Sequence, residues 1–451
     1  MSNQDLATIF KAYDIRGTVG EQLTPDFTYK VGRALADYLP VLGSVAVGYD
    51  MRPDSAALAQ ALRDGLTKQG RPVIDIGRVT SDMIYFAVGK FGLAGGAVVT
   101  ASHNPGKDNG LKIYRDGVRA VGLASGLAQI RDAVLAENFK PAATTAGTMI
   151  ARDITKEWVE HCLTFVTTPL KPFRIAIDAG NGMAGAILPH ILPKLGLDVK
   201  EMYFEPDGTF PNHEANPQKL ENLQDLIETV KRDQLDFGLA FDGDGDRAVL
   251  VADLGRSVSG SDFIALAAKH YLKLHPGATI VHEVRTSRAA RELISEWGGQ
   301  PFRVKAGRIY IGEAMRERDA PFGGETSGHL FFKDNYFADS GLIGALVAMV
   351  ALSESGERLS TLIDTYHRYL MIPEMNLKVA DAVDVLTRLA EHFQDGIQDR
   401  LDGLTVNYPD WWFNLRVSNT EPVVRLNLEA NDQALLEAKT SEVVGIIKEE
   451  K

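Results

Sequence analysis

Short apolar runs alternate with amphipathic stretches over the first two-thirds of the chain, and the rhythm restarts about three times. Val45-Ala46-Val47 and Val73-Ile74-Asp75-Ile76 read as strands with a helix over 55–68 between them, and Ala97-Val98-Val99 reads as a further strand. A polar, small-residue stretch over 141–147 reads as a linker. The pattern resumes at Arg174-Ile175-Ala176-Ile177 and predicts a helix over 184–195, a strand over 199–204, a helix over 220–232 and a strand over 237–241. A third round opens with Val249-Leu250-Val251, with helices predicted over 262–274, 287–297 and 310–318 and strands over 279–284 and 302–304. After 353–356 the texture changes. The tail offers a helix over 383–393, strands over 404–407, 412–417 and 424–428, and a last helix from 432 onward.

Strands that alternate with helices argue for α/β units, whereas a run of strands flanked by helices argues for an α+β unit. The expected architecture is therefore three similar α/β domains, 1–146, 147–250 and 251–361, followed by an α+β domain over 362–451. The restart is one of pattern only, because the sequence carries no short repeat and no low-complexity run.

Composition narrows the class. A chain of 451 residues is too long for one ordinary core, and length alone suggests three or four domains. The hydrophobic fraction is 45%, and no segment reaches the roughly 20 uninterrupted apolar residues that a membrane helix needs. Cys162 is the single cysteine, so no internal disulfide can form, and the start MSNQDLATIFKAYD lacks the basic, then apolar, signature of a signal peptide. These features predict a cytoplasmic protein with no membrane partner. A net charge of −12 excludes a non-specific nucleic-acid binder but leaves room for a small anion held in a local positive field.

Several polar turns offer such chemistry. Thr100-Ala101-Ser102-His103-Asn104-Pro105 directly follows a predicted strand, at the end of a strand where α/β proteins bind ligands. Ser and Asn-Pro are equally ordinary turn formers. Lys112 follows closely and is placed to neutralise a phosphate at Ser102, while His103 is either a proton shuttle or a plain loop histidine. Asp242-Gly243-Asp244-Gly245-Asp246-Arg247 is the sharpest signal, because three carboxylates at alternate positions can converge on one hard cation. Arg247 and Asp253 stand where a calcium loop needs Gly and Glu, so the trio suits magnesium bridging to a phosphoryl oxygen better than calcium. The competing account is a solvated acidic turn, in which the carboxylates would repel one another.

Gly323-Gly324-Glu325-Thr326-Ser327-Gly328-His329 puts a carboxylate, a hydroxyl and an imidazole in one turn, a set that suits sugar hydroxyls. A glycine-rich turn with a capping serine looks the same. Arg416-Val417-Ser418-Asn419-Thr420-Glu421-Pro422, with Arg425 beyond, has the fork-shaped and hydroxyl donors that hold a phosphate dianion, or it is a polar turn between strands. Gly180-Asn181-Gly182-Met183-Ala184-Gly185 fits G-x-G-x-x-G between a strand and a helix, with Glu201 about twenty residues on, which makes an NAD-dependent oxidoreductase a rival reading. Nothing else in the chain resembles a hydride-transfer site, and the same glycines serve a tight helix–strand turn.

Taken in order, Phe10-Lys11-Ala12-Tyr13-Asp14-Ile15-Arg16-Gly17, the Ser102 loop, 242–247, 324–329 and 416–422 resemble the α-D-phosphohexomutase family, in its phosphomannomutase/phosphoglucomutase branch. The resemblance covers nearly the whole chain. It implies three α/β domains of shared topology with mixed sheets and a mobile fourth domain around a central cleft. It also implies that Ser102 is the phosphorylated serine and, with Asp242, Asp244 and Asp246, a ligand of Mg²⁺. Glu325 and Ser327 match the sugar-binding pair, and Arg416, Ser418, Asn419 and Thr420 match the loop that holds the phosphate not being transferred. Tyr13, Arg16, Lys112, Arg247, Lys305 and His329 match positions lining the cleft.

The activity so implied is interconversion of hexose 1-phosphate and hexose 6-phosphate of mannose or glucose, through phosphoserine and a hexose 1,6-bisphosphate intermediate that also acts as activator. Lys112 and Arg247 would offset developing charge, and His329, His103 or Lys305 would move the proton. The partner is a phosphosugar and the protein a monomer or dimer. Three departures stand out: Arg308 in Lys305-Ala306-Gly307-Arg308 where relatives commonly show Thr-Gly-His after the lysine, Thr326 for a common Met, and Glu421 for a small or apolar residue. Arg308 bears on hydroxyl recognition, and phosphoglucosamine mutase is the alternative within the family. Glu-x-Ser favours glucose and mannose. A non-catalytic phosphosugar-binding protein is the remaining alternative.

Overall fold

The computed structural model describes residues 6–417 and 423–449. Its strands form four sheets, three mixed and one antiparallel. In the first, Val45–Tyr49 lies parallel between Val73–Arg78 and Gly95–Val99, Asp108–Arg115 runs antiparallel to Gly95–Val99, and Ile15–Thr18 closes that side. The second sheet orders Ala248–Ala252, Phe237–Phe241, Arg174–Asp178 and Asp198–Met202. The third orders Gln300–Val304, Thr279–Glu283, Phe322–Gly324, Leu330–Phe332 and Ala338–Asp339. All three share a parallel centre with an antiparallel return, the arrangement expected when βαβ crossovers are followed by a hairpin.

The fourth sheet is built on Val423–Ala430 and Trp411–Val417, with Leu404–Asn407 and Ile397–Asp399 beyond. Helices Ala382–His392 and Gln433–Lys448 cover it, so the tail is the α+β unit that the change of texture predicts.

Two strands fall on the other side of the divisions drawn at 146/147 and 250/251. Met149–Ala151 pairs parallel with Val73–Arg78 and so completes the first sheet, its entry set by the bond from the Val73 amide to the Thr148 carbonyl. Val249-Leu250-Val251 opens no third unit. Ala248–Ala252 returns antiparallel on Phe237–Phe241 across the tight 242–247 turn, because so short a connection allows only a hairpin.

The first three units share a large core beside smaller clusters of their own. Ile84, Phe86 and Trp158 pack in the same buried cluster as Ile175, Phe237, Phe263 and Ile343. At its centre runs Gly341–Ser355, capped by the Ser340 hydroxyl on the Ile343 amide and buried on every face through Leu352. That helix is absent from the sequence reading because a stretch apolar all round has no 3.6-residue periodicity to detect. The fourth unit keeps a separate core of Leu389, Trp411, Phe413 and Leu426.

Candidate active site

The C-terminal ends of strands from different sheets face one cleft of about 310 Å³. Ser102 lies just past Gly95–Val99 in a turn with φ of 52°, a left-handed conformation uncommon for a side chain larger than glycine. Its amide donates to Thr100 Oγ1 at 2.9 Å. The turn is held mainly by Arg52, whose guanidinium donates to the carbonyls of Ser102, Asn104, Pro105 and Asp108 at 2.6 to 3.0 Å. Arg52 is itself buried and paired with Asp50 at 3.2 Å.

The acidic loop follows Phe237–Phe241, and Asp242, Asp244 and Asp246 are fully buried. They offer oxygens all within 4.8 Å of one another. Gly243 allows the loop to touch the serine turn, since a Cβ there would stand 2.5 Å from the Ser102 carbonyl oxygen. As a result Ser102 Oγ donates to Asp242 Oδ2 at 2.7 Å, although 140 residues separate them. Arg247 Nη2 donates to Ser102 Oγ at 3.3 Å, and Arg247 Nε to Asp242 Oδ2 at 2.9 Å. Lys112 Nζ bridges Asp244, at 2.5 Å, and Asp246. Ser81 Oγ donates to Asp244, and Tyr85 OH to Asp246 at 3.3 Å.

Charge in this buried set is balanced by pairing. Burial works against the Lys112 ammonium, but Asp244 and Asp246 outweigh it and hold the pKa above the ordinary lysine value. Against their own burial, pairing with Lys112 helps to hold Asp244 and Asp246 below the usual carboxylate range. Burial keeps Asp242 raised even with Arg247 beside it. Asp244 Oδ1 and Asp246 Oδ1 are buried with no hydrogen-bond donor among the described residues. Oxygens left without a donor in a buried trio are what a hard divalent cation takes up, so Asp242, Asp244, Asp246 and Ser102 Oγ fit a metal.

The two histidines differ. His103 Nδ1 lies 3.2 Å from Ser102 Oγ and also meets Arg247 Nη2. Burial first, then Arg247 and Arg16, hold its pKa well below the ordinary value, so the ring is neutral. His329 Nδ1 lies 3.2 Å from Glu325 Oε2, and its Nε2 lies 3.5 Å from Asp246 Oδ1. Burial opposes its charge, yet pairing with the Asp246 and Glu325 carboxylates raises it to about 9.

Across the cleft, Glu325 accepts the Gly307 amide at 2.7 Å and the Ser327 hydroxyl at 3.3 Å. Thr326, one of the departures from the family pattern, ties this loop down by donating its hydroxyl to Glu283 Oε1 at 2.6 Å. Arg16 donates to Asn104 Oδ1 at 2.6 Å beside the serine turn. Tyr13 OH donates to the Ala306 carbonyl at 3.0 Å, spanning the cleft. Arg308 Nη1 donates to Tyr85 OH at 3.2 Å and stands 3.6 Å from Asp246, so this departure from the family pattern adds a permanent charge next to the acidic trio.

Arg416 and Arg425 face each other on neighbouring strands and line the far end of the cleft. Lys305 is not among the lining residues; its Nζ sits over the Tyr310 ring, 6.0 Å from the centroid. Ser418, Asn419, Thr420 and Glu421 lie outside the described residues. Arg52, Arg285 and Ser81 reach the site without having been singled out in the sequence. Arg52 and Arg285 each stand shortly past a strand end, Tyr49 and Glu283, where the rule that points to Ser102 applies equally.

The Gly180–Gly185 motif serves packing, not a dinucleotide. A Cβ on Gly185 would meet the Phe204 carbonyl oxygen at 1.9 Å, one on Gly182 would meet the Gly243 carbonyl oxygen at 2.8 Å, and the Met183 amide already donates to that same oxygen. The space where a pyrophosphate would approach the helix is filled by backbone, which overturns the oxidoreductase reading.

Four successive family models match the chain: Phosphoglucomutase/phosphomannomutase alpha/beta/alpha domain I over residues 7–140, domain II over 156–255, domain III over 259–369 and the C-terminal domain over 374–445. The chain is 39% identical over 444 residues to a protein of Xanthomonas campestris pv. campestris named Phosphohexose mutases, covering 97% of this chain and 99% of that one. It is 37% identical over 453 residues to a phosphomannomutase of Escherichia coli, covering 98% and 99%. The crystal structure of a phosphoglucomutase/phosphomannomutase family protein from Burkholderia thailandensis superposes with a TM-score of 0.91 at 33% identity, covering 98% of this chain and 97% of that one.

Proposed function

The chain belongs to the phosphoglucomutase/phosphomannomutase family, and from that premise we propose that Ser102 carries the phosphoryl group exchanged between the two ends of a hexose phosphate. The protein is a phosphohexomutase, an intramolecular phosphotransferase of the isomerase class acting on mannose or glucose phosphates. The observation that carries the serine assignment is the 2.7 Å bond from Ser102 Oγ to Asp242 Oδ2, with Arg247 and Lys112 beside it.

In the proposed reaction the bond from phosphorus to Ser102 Oγ breaks as one forms to the free O1 or O6 of the sugar. The hydroxyl proton passes to a base at the cleft wall, a part that the neutral His103 is in the right state to play, whereas His329, charged at neutral pH, would return a proton as an acid. The resulting hexose 1,6-bisphosphate turns end for end and returns its other phosphoryl to Ser102. Arg247 and Lys112 take up charge as it shifts between the oxygens, since phosphoryl transfer asks for positioning and charge neutralisation more than covalent help. Asp242, Asp244, Asp246 and Ser102 Oγ would hold Mg²⁺, which when bound supplies further charge neutralisation at the phosphoryl oxygens. Glu325 and Ser327 would orient the sugar hydroxyls, with Tyr13, Arg16 and Arg308 along the wall. Arg416 and Arg425, with Ser418, Asn419 and Thr420, would hold the phosphate that stays in place.

We further place the enzyme in the reducing cytoplasm as a monomer or dimer, with a phosphosugar as its partner and no nucleic acid. No helix among the described residues is long and apolar enough to cross a membrane. The test is turnover of mannose and glucose 1-phosphates by protein primed with glucose 1,6-bisphosphate. Ser102→Ala is expected to reduce it to background and to abolish the one-phosphate mass increment of the intact protein. Undiminished turnover in that variant would refute the assignment.

A further inference from the structure

Three guanidinium groups gather at the far end of the cleft, and among the described residues Glu374 is the one carboxylate that comes within 4 Å of all three. Arg416 and Arg425 are direct cross-strand partners, an arrangement in which like charges destabilise a sheet. Arg285 approaches from the third sheet and is paired mainly with Glu283, at 2.8 Å. Glu374, the residue before strand Met375–Lys378, extends into this group. Its Oε2 accepts from Arg416 Nη2 at 3.0 Å and from Asn427 Nδ2 at 3.1 Å. Arg425 Nη1 lies 3.6 Å from Oε1, and Arg285 Nη1 lies 3.8 Å from Oε2.

We propose that Glu374 is a resident anion of the phosphate-holding end, occupying the arginine cluster between substrates and yielding it to the incoming phosphate. Two of the four contacts are too long for hydrogen bonds, so Arg425 Nη1 and Arg285 Nη1 meet Glu374 by charge and can each turn to a phosphate oxygen. Burial opposes the charge on Glu374, yet Arg285 and Arg416 hold its carboxyl below the ordinary range, so it stays ionised. The inference rests on the mutase reading. In that reaction the bisphosphate must leave this end and turn within each cycle, and Arg416 and Arg425 with no facing carboxylate would hold ground state and transition state alike, with no gain in turnover. A carboxylate that replaces the departing phosphate keeps the cluster assembled and lowers the barrier to release.

Glu374→Gln keeps the size of the side chain and removes the charge. Inorganic phosphate titrated calorimetrically into this variant is expected to bind at least about tenfold tighter than to the wild type, about 1.4 kcal/mol, because a like charge within a few ångströms of the bound anion is removed. The difference should shrink as salt is raised. Steady-state KM for hexose 1-phosphate is expected to fall together with kcat, the mark of slowed release. Phosphate affinity equal to or weaker than the wild type's, or no phosphate binding by either protein, overturns the proposal. Should the glutamine variant fail to fold, Glu374→Asp withdraws the same charge by one methylene and is expected to tighten phosphate binding by a smaller factor; equal or weaker binding is again the overturning result. The titration needs no turnover. A protein inert on hexose phosphates therefore sinks the mutase reading and leaves Glu374 to be judged, whereas unchanged phosphate affinity in an active enzyme sinks this inference alone.

Discussion

Arg52 shows how much of the geometry of the Ser102 turn rests on a residue outside the cleft. Four carbonyl oxygens of the 102–108 turn converge on its two terminal nitrogens, and a planar fork with fixed donor directions is the side chain able to satisfy them together. Without it nothing equivalent offsets the left-handed conformation of Ser102. Arg52→Lys keeps the charge and loses the fork. It is expected to lower kcat by roughly 10 to 100-fold with KM for hexose 1-phosphate nearly unchanged, because in the role proposed for Ser102 a misplaced hydroxyl affects the chemical step and not sugar binding. Phosphorylation of Ser102 by glucose 1,6-bisphosphate, followed by intact mass, should slow by the same factor; a variant that is phosphorylated at the wild-type rate counts against the positioning role.

At the scale of the element, helix Ser81–Lys90 connects the first unit to the other two. The Ser81 amide donates to the Asp244 carbonyl oxygen at 2.9 Å and the Ser81 hydroxyl to the Asp244 carboxylate. Next in line, Asp82 accepts from Thr80 and, at 2.5 Å, from Ser340, the cap of the fully buried helix Gly341–Ser355. Burial pushes the Asp82 carboxyl up to about 8, against the hydrogen bonds from Ser340 and Thr80. The folded state keeps this proton up to about pH 8 and the unfolded chain loses it near 4, so the associated stability is full below pH 4 and is lost as pH rises through 8. Between pH 5 and 8 the contribution has a slope of at most ~1.4 kcal/mol per pH unit. Asp82→Asn should flatten the fall of the thermal midpoint over that interval, and parallel profiles for the two proteins would rule the linkage out.

For the whole molecule the fourth unit is the part that keeps a core to itself, and it meets the third unit through polar contacts, several of them at the start of helix Arg288–Glu296. Glu429, buried on strand Val423–Ala430, takes the Ser287 hydroxyl, the Trp412 indole and, at 2.9 Å, the Arg288 amide, and so seals the start of helix Arg288–Glu296. Arg288 reaches back to the Tyr408 and Pro409 carbonyls at 2.7 Å. A carboxylate suits the positive end of a helix, and the donors around it would be left short by an amide. Glu429→Gln is expected to loosen the docking by roughly 1–3 kcal/mol. Limited proteolysis of the 367–374 connection should accelerate, and KM should rise more than kcat falls, because Arg416 and Arg425 would then meet the substrate less often in place. Identical cleavage rates would show that the anchor lies elsewhere.

Local pattern was enough for much of this architecture. Helices such as 55–68 and strands such as 237–241 bury one face or a short apolar run, and that periodicity is written in neighbouring residues. The Ser102 turn, the aspartate trio and the Glu325 loop were legible for a related reason: each chemistry sits at a strand end and is contiguous in the chain. What needed tertiary structure is whatever joins distant segments. Helix Gly341–Ser355 is hidden by being apolar on all faces, and the sheet membership of Ala248–Ala252 depends on pairing and not on composition. The convergence of Ser102, Lys112 and Asp242, the grip of Arg52 and the place of Glu374 among three arginines all arise between groups tens to hundreds of residues apart. Sequence specifies which side chains are available, but the electrostatic neighbourhood of each depends on distances of a few ångströms that only the packed fold sets.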